Sequence, residues 1–389
     1  MKLYLVITTI ILLTACSDKT EPPLILTYPE PEEKTVFSES TTQNVLTDED
    51  PPTPPPPSNP DETPINNKCT IVISELYIGN TKDANNKLYQ QDKYIKLYNN
   101  SAENTNIKNL CFAMSYPMMS NITSEYYEYV DLQKTPASQA IWWIENIEFA
   151  PYETKVFVVY SAQDHTPYNG VDLSSPQYYC MYDDEAGFTT YYTIPPNNAN
   201  TLHAIRFANG TAWTIGYSPA LFIFSTGDIS PTEFAANKEN QMLFGDATWW
   251  GADNQGKYDT KSGACLMIPN SLIIDGCDVA NFTNKNVAQK YNRRFCNEID
   301  AGYVAITASG LGYSIYRNVD KQATLSIPNN ENKIVYNYQY GTSDIENGST
   351  DPSDIDAEAS IEAGAHIIYQ DTNNSTADFH QRCRATLKN

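Results

Sequence analysis

The residues best able to do chemistry are few and scattered. Asp164-His165 has the form of a base with an orienting carboxylate, and it also reads as a turn histidine beside a side-chain cap. A three-histidine metal site needs three of the four distant residues His165, His203, His366 and His380 to converge. Asp253-Asn254-Gln255-Gly256-Lys257-Tyr258-Asp259 offers oxygen ligands but lacks the alternating acids and distal Glu of an EF-hand. Asp351, Asp354, Asp356 and Glu358 read as a solvated acidic face. No GxSxG, HExxH, HxH or phosphate-binding loop occurs. The expectation is a non-enzyme without metal or cofactor. The aromatic pairs Trp142-Trp143 and Trp249-Trp250 offer a different chemistry. Neighbouring strand residues face opposite sides, so one indole of each pair can enter the core while the other faces out to stack on a sugar or flat ligand. All four are candidate ligand-binding residues, the alternative being burial under a loop. Beyond Cys16, the cysteines are Cys69, Cys111, Cys180, Cys265, Cys277, Cys296 and Cys383. None has zinc-ribbon spacing, and their odd number leaves at least one outside any set of internal disulfides. Burial as small hydrophobes is the alternative to bridging.

The N-terminus is an address. Lys2 precedes a short apolar run, Leu3 to Leu13, too short for a permanent membrane span of about 20 residues. Leu13-Thr14-Ala15-Cys16 resembles the lipobox of bacterial lipoproteins. That resemblance implies a signal peptide over 1–15, cleavage before Cys16, and acylation of the Cys16 thiol and new amine. Acyl chains anchor at about 0.8 kcal/mol per buried CH₂. Ser17-Asp18-Lys19-Thr20-Glu21 resembles the surface-export signals of some outer-membrane lipoproteins, which implies a lipid-anchored, outward-facing protein. Residues 17–66 hold 12 of the 24 prolines and 11 acids against two lysines. With Cys16 they read as an extended, disordered tether over 16–66.

From residue 67 the pattern changes to strands. Thr70 to Ile78, Lys93 to Tyr98, Ile107 to Ala113, Lys155 to Tyr160, Leu202 to Phe207, Leu221 to Phe224, Leu272 to Ile274 and Lys333 to Tyr338 are rich in Val, Ile, Tyr and Phe between turn-forming clusters. In 93–98, Ile95 and Leu97 share one face opposite Lys96 and Tyr98, predicting a half-buried strand. Ser230-Pro231-Thr232-Glu233 predicts a capped helix from Pro231. Further helices are expected from Ser353 with Asp356 and over Val287 to Phe295. The fold class is mostly β, a sandwich with a few short helices.

Ile73-Ser74-Glu75-Leu76-Tyr77, then Asp92-Lys93-Tyr94-Ile95-Lys96-Leu97-Tyr98-Asn99-Asn100-Ser101, resembles the opening of lamin-tail domains, which are immunoglobulin-like β-sandwiches. Lys96 stands where that pattern usually has an acid. Asp371-Thr372-Asn373-Asn374-Ser375-Thr376-Ala377-Asp378-Phe379 resembles the close of such domains. With Asp164-His165-Thr166, Val171-Asp172-Leu173-Ser174, Ile299 to Tyr303 and Arg317, these segments are similar to surface lipoproteins that carry a decorated lamin-tail sandwich and are often encoded beside TonB-dependent receptors. The resemblance implies one domain over 67–389 with an insertion at about 161–262. It also implies a structural role for Asp371, Asn373, Asn374, Asp378 and Phe379, with Phe379 packed near Ile95 or Leu97.

A net charge of −22 excludes binding of nucleic acid through phosphate neutralisation and disfavours docking on anionic headgroups. A mean hydropathy of −0.47 excludes a multi-span membrane protein. The functional expectation is a non-catalytic binding or accessory module that captures a ligand or docks on a TonB-dependent transporter. The alternative is a structural or adhesive surface protein that binds proteins or glycans; an unrecognised hydrolase ranks last.

Overall fold

The computed structural model describes residues 70–117, 135–186, 192–196, 200–207, 218–243, 248–251, 264–285, 291–307, 310–336 and 351–388. All belong to the unit Ile65–Asn389. The signal segment, Cys16, the whole tether over 16–66, Cys69 and Asp253 to Asp259 lie outside the described residues.

The strands are β1 (Ile71–Tyr77), β2 (Thr81–Lys82), β3 (Leu88–Tyr89), β4 (Tyr94–Asn99), β5 (Thr105–Met114), β6 (Ala137–Ser138), β7 (Ala140–Phe149), β8 (Thr154–Val158), β9 (Tyr179–Cys180) and β10 (Asn200–Thr201). They continue as β11 (His203–Arg206), β12 (Ala220–Ser225), β13 (Gln241–Leu243), β14 (Ala264–Met267), β15 (Ile273–Asn281), β16 (Val304–Ile306), β17 (Ser314–Arg317) and β18 (Phe379–Arg382). Short helices are α1 (Pro231–Ala236), α2 (Lys321–Ser326), α3 (Ala357–Glu362) and α4 (Ser375–Asp378). One sheet runs β10-β9-β8-β4-β1-β17-β18 and the other β11-β7-β5-β12-β15-β16. A small third sheet runs β13-β14-β6.

Period-two alternation builds the layers. On β5, Leu110, Phe112 and Met114 enter the core between the two large sheets, while Cys111 and Ala113 enter a second core. On β12, Leu221 and Ile223 face inward while Ala220, Phe222 and Phe224 face the second core. Phe112 of one large sheet meets Phe157 of the other with ring centres 4.5 Å apart. The second core is shared with Phe234 and Ala235 of α1, Leu266 of β14, Trp250 and Phe295. The described unit is therefore a mostly β sandwich whose second sheet is buried on both faces at its central strands β12 and β15.

Several expectations change here. Residues 161–262 are not a loop insertion: they supply β12, which sits between β5 and β15 in the middle of the second sheet. They also supply β10 and β11, consecutive strands that pass from one sheet to the other at the buried Leu202. β4 is buried on both faces rather than one, because Tyr98 packs with Val72, Ile367 and Tyr369 outside the first sheet. Helix α3 starts at its cap Asp356, whose side chain accepts the Ala359 amide at 3.1 Å, not at Ser353. The helix expected over 287–295 is absent from its described part, 291–295, and residues 333–335 form no strand, with Tyr336 making only an isolated bridge to Ile355. The capping box does start α1, where the Ser230 hydroxyl accepts the Glu233 amide at 3.1 Å.

Candidate functional site

Both chain ends of the domain meet in the first sheet, where β17 lies between β1 and β18. Arg317 faces Phe379 in register and its guanidinium stacks 4.4 Å from that ring. It donates to the Asp275 carboxylate, to the Ile73 carbonyl at 2.7 Å and to the Gln370 carbonyl at 3.0 Å, with Asp371 at 3.5 Å. Burial opposes its charge, and Asp275, Asp371 and Asp378 more than compensate, raising it above its ordinary value. Phe379 is buried, but its partner is Arg317 on the next strand; β17 and β1 separate it from Ile95 and Leu97 on β4.

The rest of 371–379 is a lock of turns. Asp378 accepts the Thr372 amide and hydroxyl at 2.8 and 2.7 Å and the Asn374 amide at 3.2 Å, so it is a principal turn-capping carboxylate. Asn374 caps α4 through the Thr376 amide at 3.1 Å, and Asn373, at φ 56°, offers its carbonyl to the Ala301 amide at 2.6 Å. A Cβ on Gly302 would lie 2.1 Å from the Asn374 side-chain oxygen, so only glycine fits there. Asp300 closes the lock, accepting the Ser375 amide and hydroxyl at 2.7 and 2.6 Å and the Asp278 amide at 2.8 Å. These bonds engage Asp300, Asn374, Ser375 and Asp378 within the fold itself, as a structural segment does.

Each tryptophan pair has one buried member; strand alternation explains this for Trp142-Trp143, whereas Trp249-Trp250 stands at a turn. Trp142 is fully buried, its ring 5.0 Å from that of Tyr192, and Trp250 is buried 5.4 Å from Phe207. Neither can meet a ligand. Trp143 is half-buried beside the exposed His203 ring at 4.8 Å, and Trp249 is half-buried under Lys238 at 5.6 Å.

The acid and histidine candidates resolve differently. Asp164 accepts the Thr166 amide at 2.9 Å, a bond that holds its carboxyl below the usual range. Its neighbour His165 is buried, with Nε2 2.8 Å from the Ser161 carbonyl and Nδ1 2.6 Å from the Tyr89 hydroxyl. A carbonyl only accepts, so Nε2 carries the hydrogen, and Nδ1 takes that of Tyr89. Both ring nitrogens are thus occupied by groups other than a carboxylate, and the base reading is lost. Asp351, Asp356 and Glu358 are also not a solvated acidic face: Asp351 accepts the Val319 and Ser353 amides at 2.9 and 2.8 Å, Asp356 caps α3, and Glu358 takes Arg382 at 2.8 Å. Among the described residues, no group of three or more metal-ligating side chains is arranged to hold an ion, and no helix is long and apolar enough to cross a membrane.

What His165 does is hold an aromatic surface that the sequence did not announce. The Tyr89 ring stacks on Tyr168 at 4.8 Å with the planes 7° apart, and Tyr168 is 49% exposed. Leu88 and Leu311 are also exposed, Leu88 within 3.2 Å of where a Cβ on Gly310 would stand. Behind the stack, Ser161 is buried and accepts the Thr193 hydroxyl at 2.7 Å, which anchors the His165 contact to the core. The hairpin β2–β3, the 165–170 turn and the 310–312 turn thus present a two-ring platform whose polar backing is satisfied. Tyr89, His165 and Tyr168 have no diagnostic spacing; the only signal was that aromatic residues stand in two turn-rich loops.

A family model described as a protein of unknown function (DUF4876) matches residues 150–350. The chain is also similar to a crystal structure of a DUF4876 family protein from Bacteroides thetaiotaomicron VPI-5482, with a TM-score of 0.51 and 18% identity over 80% of this chain and 70% of that one. At that identity the likeness is one of fold. No curated protein matches the chain.

Proposed function

The chain belongs to the DUF4876 family of proteins of unknown function, and we propose that it is a non-catalytic binding module held at the outer cell surface by lipid on Cys16. In this reading the proline-rich, acidic segment after Cys16 carries the sandwich away from the membrane, and the decorated lamin-tail domain captures a ligand or docks on a TonB-dependent transporter. The observation that carries the proposal is the Tyr89–Tyr168 stack. An exposed aromatic whose partner ring is fixed from behind loses little freedom on binding, the economy expected of a recognition surface. Leu88 and Leu311 are exposed on the neighbouring hairpin and turn, and exposed apolar residues commonly mark interaction sites. The half-buried Trp143–His203 pair is a second, smaller aromatic surface of the same kind.

The test is isolation of the full chain from detergent-solubilised membranes, with a Tyr168→Ala chain in parallel. The wild type should bring down a TonB-dependent transporter and the variant should lose most of it. Equal recovery with both chains would remove Tyr168 from the interface. No transporter with either chain would end the docking reading.

A further inference from the structure

The start of β4 holds a buried amine against a buried amide. Lys93 is fully enclosed, and its Nζ donates to the Asn80 side-chain oxygen at 2.9 Å, the Gly79 carbonyl at 2.6 Å and the Ile78 carbonyl at 3.1 Å. The 78–80 turn is held in place from its other side. The Asn80 carbonyl accepts the Gly312 amide at 2.9 Å, and a Cβ on Gly79 would lie 2.4 Å from the Tyr313 carbonyl. Asp92, the residue before Lys93, is also fully buried. One of its carboxyl oxygens accepts the Tyr77 hydroxyl at 2.8 Å, and the other has no hydrogen-bond partner among the described residues. Asp92 makes no direct ion pair with Lys93 among the described residues; it acts on the amine as a nearby buried charge.

We propose that Lys93 and Asn80 form an intramolecular isopeptide bond, with Asp92 as the proton carrier. The Lys93 ammonium passes a proton to the Asp92 carboxylate, and the free amine adds to Cγ of Asn80. Asp92 returns its proton to Nδ2, the second Nζ proton of the adduct follows it, and the Cγ–Nδ2 bond breaks. The Nζ–Cγ amide replaces the primary amide, and nitrogen leaves as ammonium. One amide is consumed and one is made, with no oxidant, metal or cofactor. Fixing the two groups in contact is the main requirement, because it turns a slow intermolecular reaction into an intramolecular one. Burial favours the neutral forms the step needs: it pushes the Lys93 amine down to about 8 against the pull of Asp92, and pushes the Asp92 carboxyl up. The bond would staple the end of β1 to the start of β4 across residues 81–92. Cys111, Cys180, Cys265, Cys277 and Cys296 are unbridged thiols, so none of them staples these strands. Lys93 with its three oxygen acceptors also forms a complete non-covalent clamp, and the experiment separates the two.

The full chain is denatured, digested with trypsin and read by mass spectrometry. Acylated Lys93 is no longer a cleavage site. The expected product is a branched peptide joining residues 69–82 to residues 88–96, lighter than the two by one ammonia and present in nearly every molecule. A Lys93→Arg chain should give the unlinked peptides, and so should Asp92→Asn. Cleavage after Lys93 with an unmodified 69–82 peptide in the wild type would overturn the proposal, as would an equally complete link in the Asp92→Asn chain.

Discussion

Replacing Arg317 with methionine should be among the most damaging single changes in the domain. The guanidinium is 1% exposed and neutralises Asp275, itself almost fully buried. Methionine keeps much of the volume and the contact with Phe379, so the loss is mainly of charge and hydrogen bonds. Asp275 would keep its bonds from the Ile73 amide at 2.6 Å and the Gly276 amide at 2.8 Å but lose its counter-charge. The Ile73 and Gln370 carbonyls would lose their Arg317 donors. Removing one member of a buried ion pair costs about 3–5 kcal/mol, largely because it strands the other charge. For a unit of about 320 residues, about 2.1 cal/mol/K of unfolding entropy per residue gives about 0.7 kcal/mol/K, so the thermal midpoint should fall by about 4–7 °C. Calorimetry and urea titration of both chains supply the two measurements. The double variant Arg317→Met with Asp275→Asn should recover about 1–3 kcal/mol relative to the sum of the single changes, because it no longer strands a carboxylate. A loss under about 1 kcal/mol in Arg317→Met, or strict additivity in the double variant, would refute the idea that this ion pair fastens the two chain ends together.

Three other outcomes are expected. Phe379→Ala should cost about 3–5 kcal/mol by urea titration, because its ring is buried in the inner core beneath Arg317. Burial pushes the Asp300 carboxyl from 3.8 up to about 7, with the Ser375 bonds pulling the other way. The fold therefore keeps a proton that the unfolded chain releases near pH 4, and wild-type stability relative to Asp300→Asn should fall as pH rises from about 4 to about 7. At about 1.4 kcal/mol per pH unit the upper bound is about 4 kcal/mol, and parallel pH profiles of the two chains would count against it. Cys16→Ser should move the protein from the membrane pellet to the soluble fraction; a variant still pelleted after salt and carbonate washes would exclude lipid as the anchor.

Strands that alternate cleanly were readable in the sequence, and strands held by polar pairing were not. β1, β5 and β12 carry Ile, Leu, Phe and Val at the positions that enter a core, and their apolar runs announce them. β18 reads Phe379-His380-Gln381-Arg382 and is buried at every position. Arg382 is accommodated over the Tyr316 ring at 3.7 Å and on Glu358, and His380 against Asn318 at 2.5 Å. No hydrophobic period can reveal such a strand, because partners elsewhere in the chain make its polar groups tolerable. The same holds for the middle of the domain. β12 was legible as a strand, but its place between β5 and β15 depends on pairings far along the chain, so residues 161–262 looked like an insertion. The aromatic platform was hidden for a related reason: Tyr89 and Tyr168 meet only because two loops fold over one end of the first sheet.

Lys96 shows how such pairings compensate one another. Lys96 lies directly across from Glu75 on β1, its Nζ 3.3 Å from the carboxylate and 2.7 Å from the Thr386 hydroxyl. Glu75 is buried, which alone would push its carboxyl up. Lys96, with the Thr386, Ser314 and Tyr94 hydroxyls, instead holds it below its ordinary value. An acid at 96 would set two carboxylates face to face across β1 and β4. The lysine and the C-terminal segment therefore form one solution. Thr386 binds Glu75 through both its amide and its hydroxyl, and Leu387 donates its amide to Tyr94 at 3.4 Å. Lys96 is thus bonded both to the first strand and to the segment that closes over it.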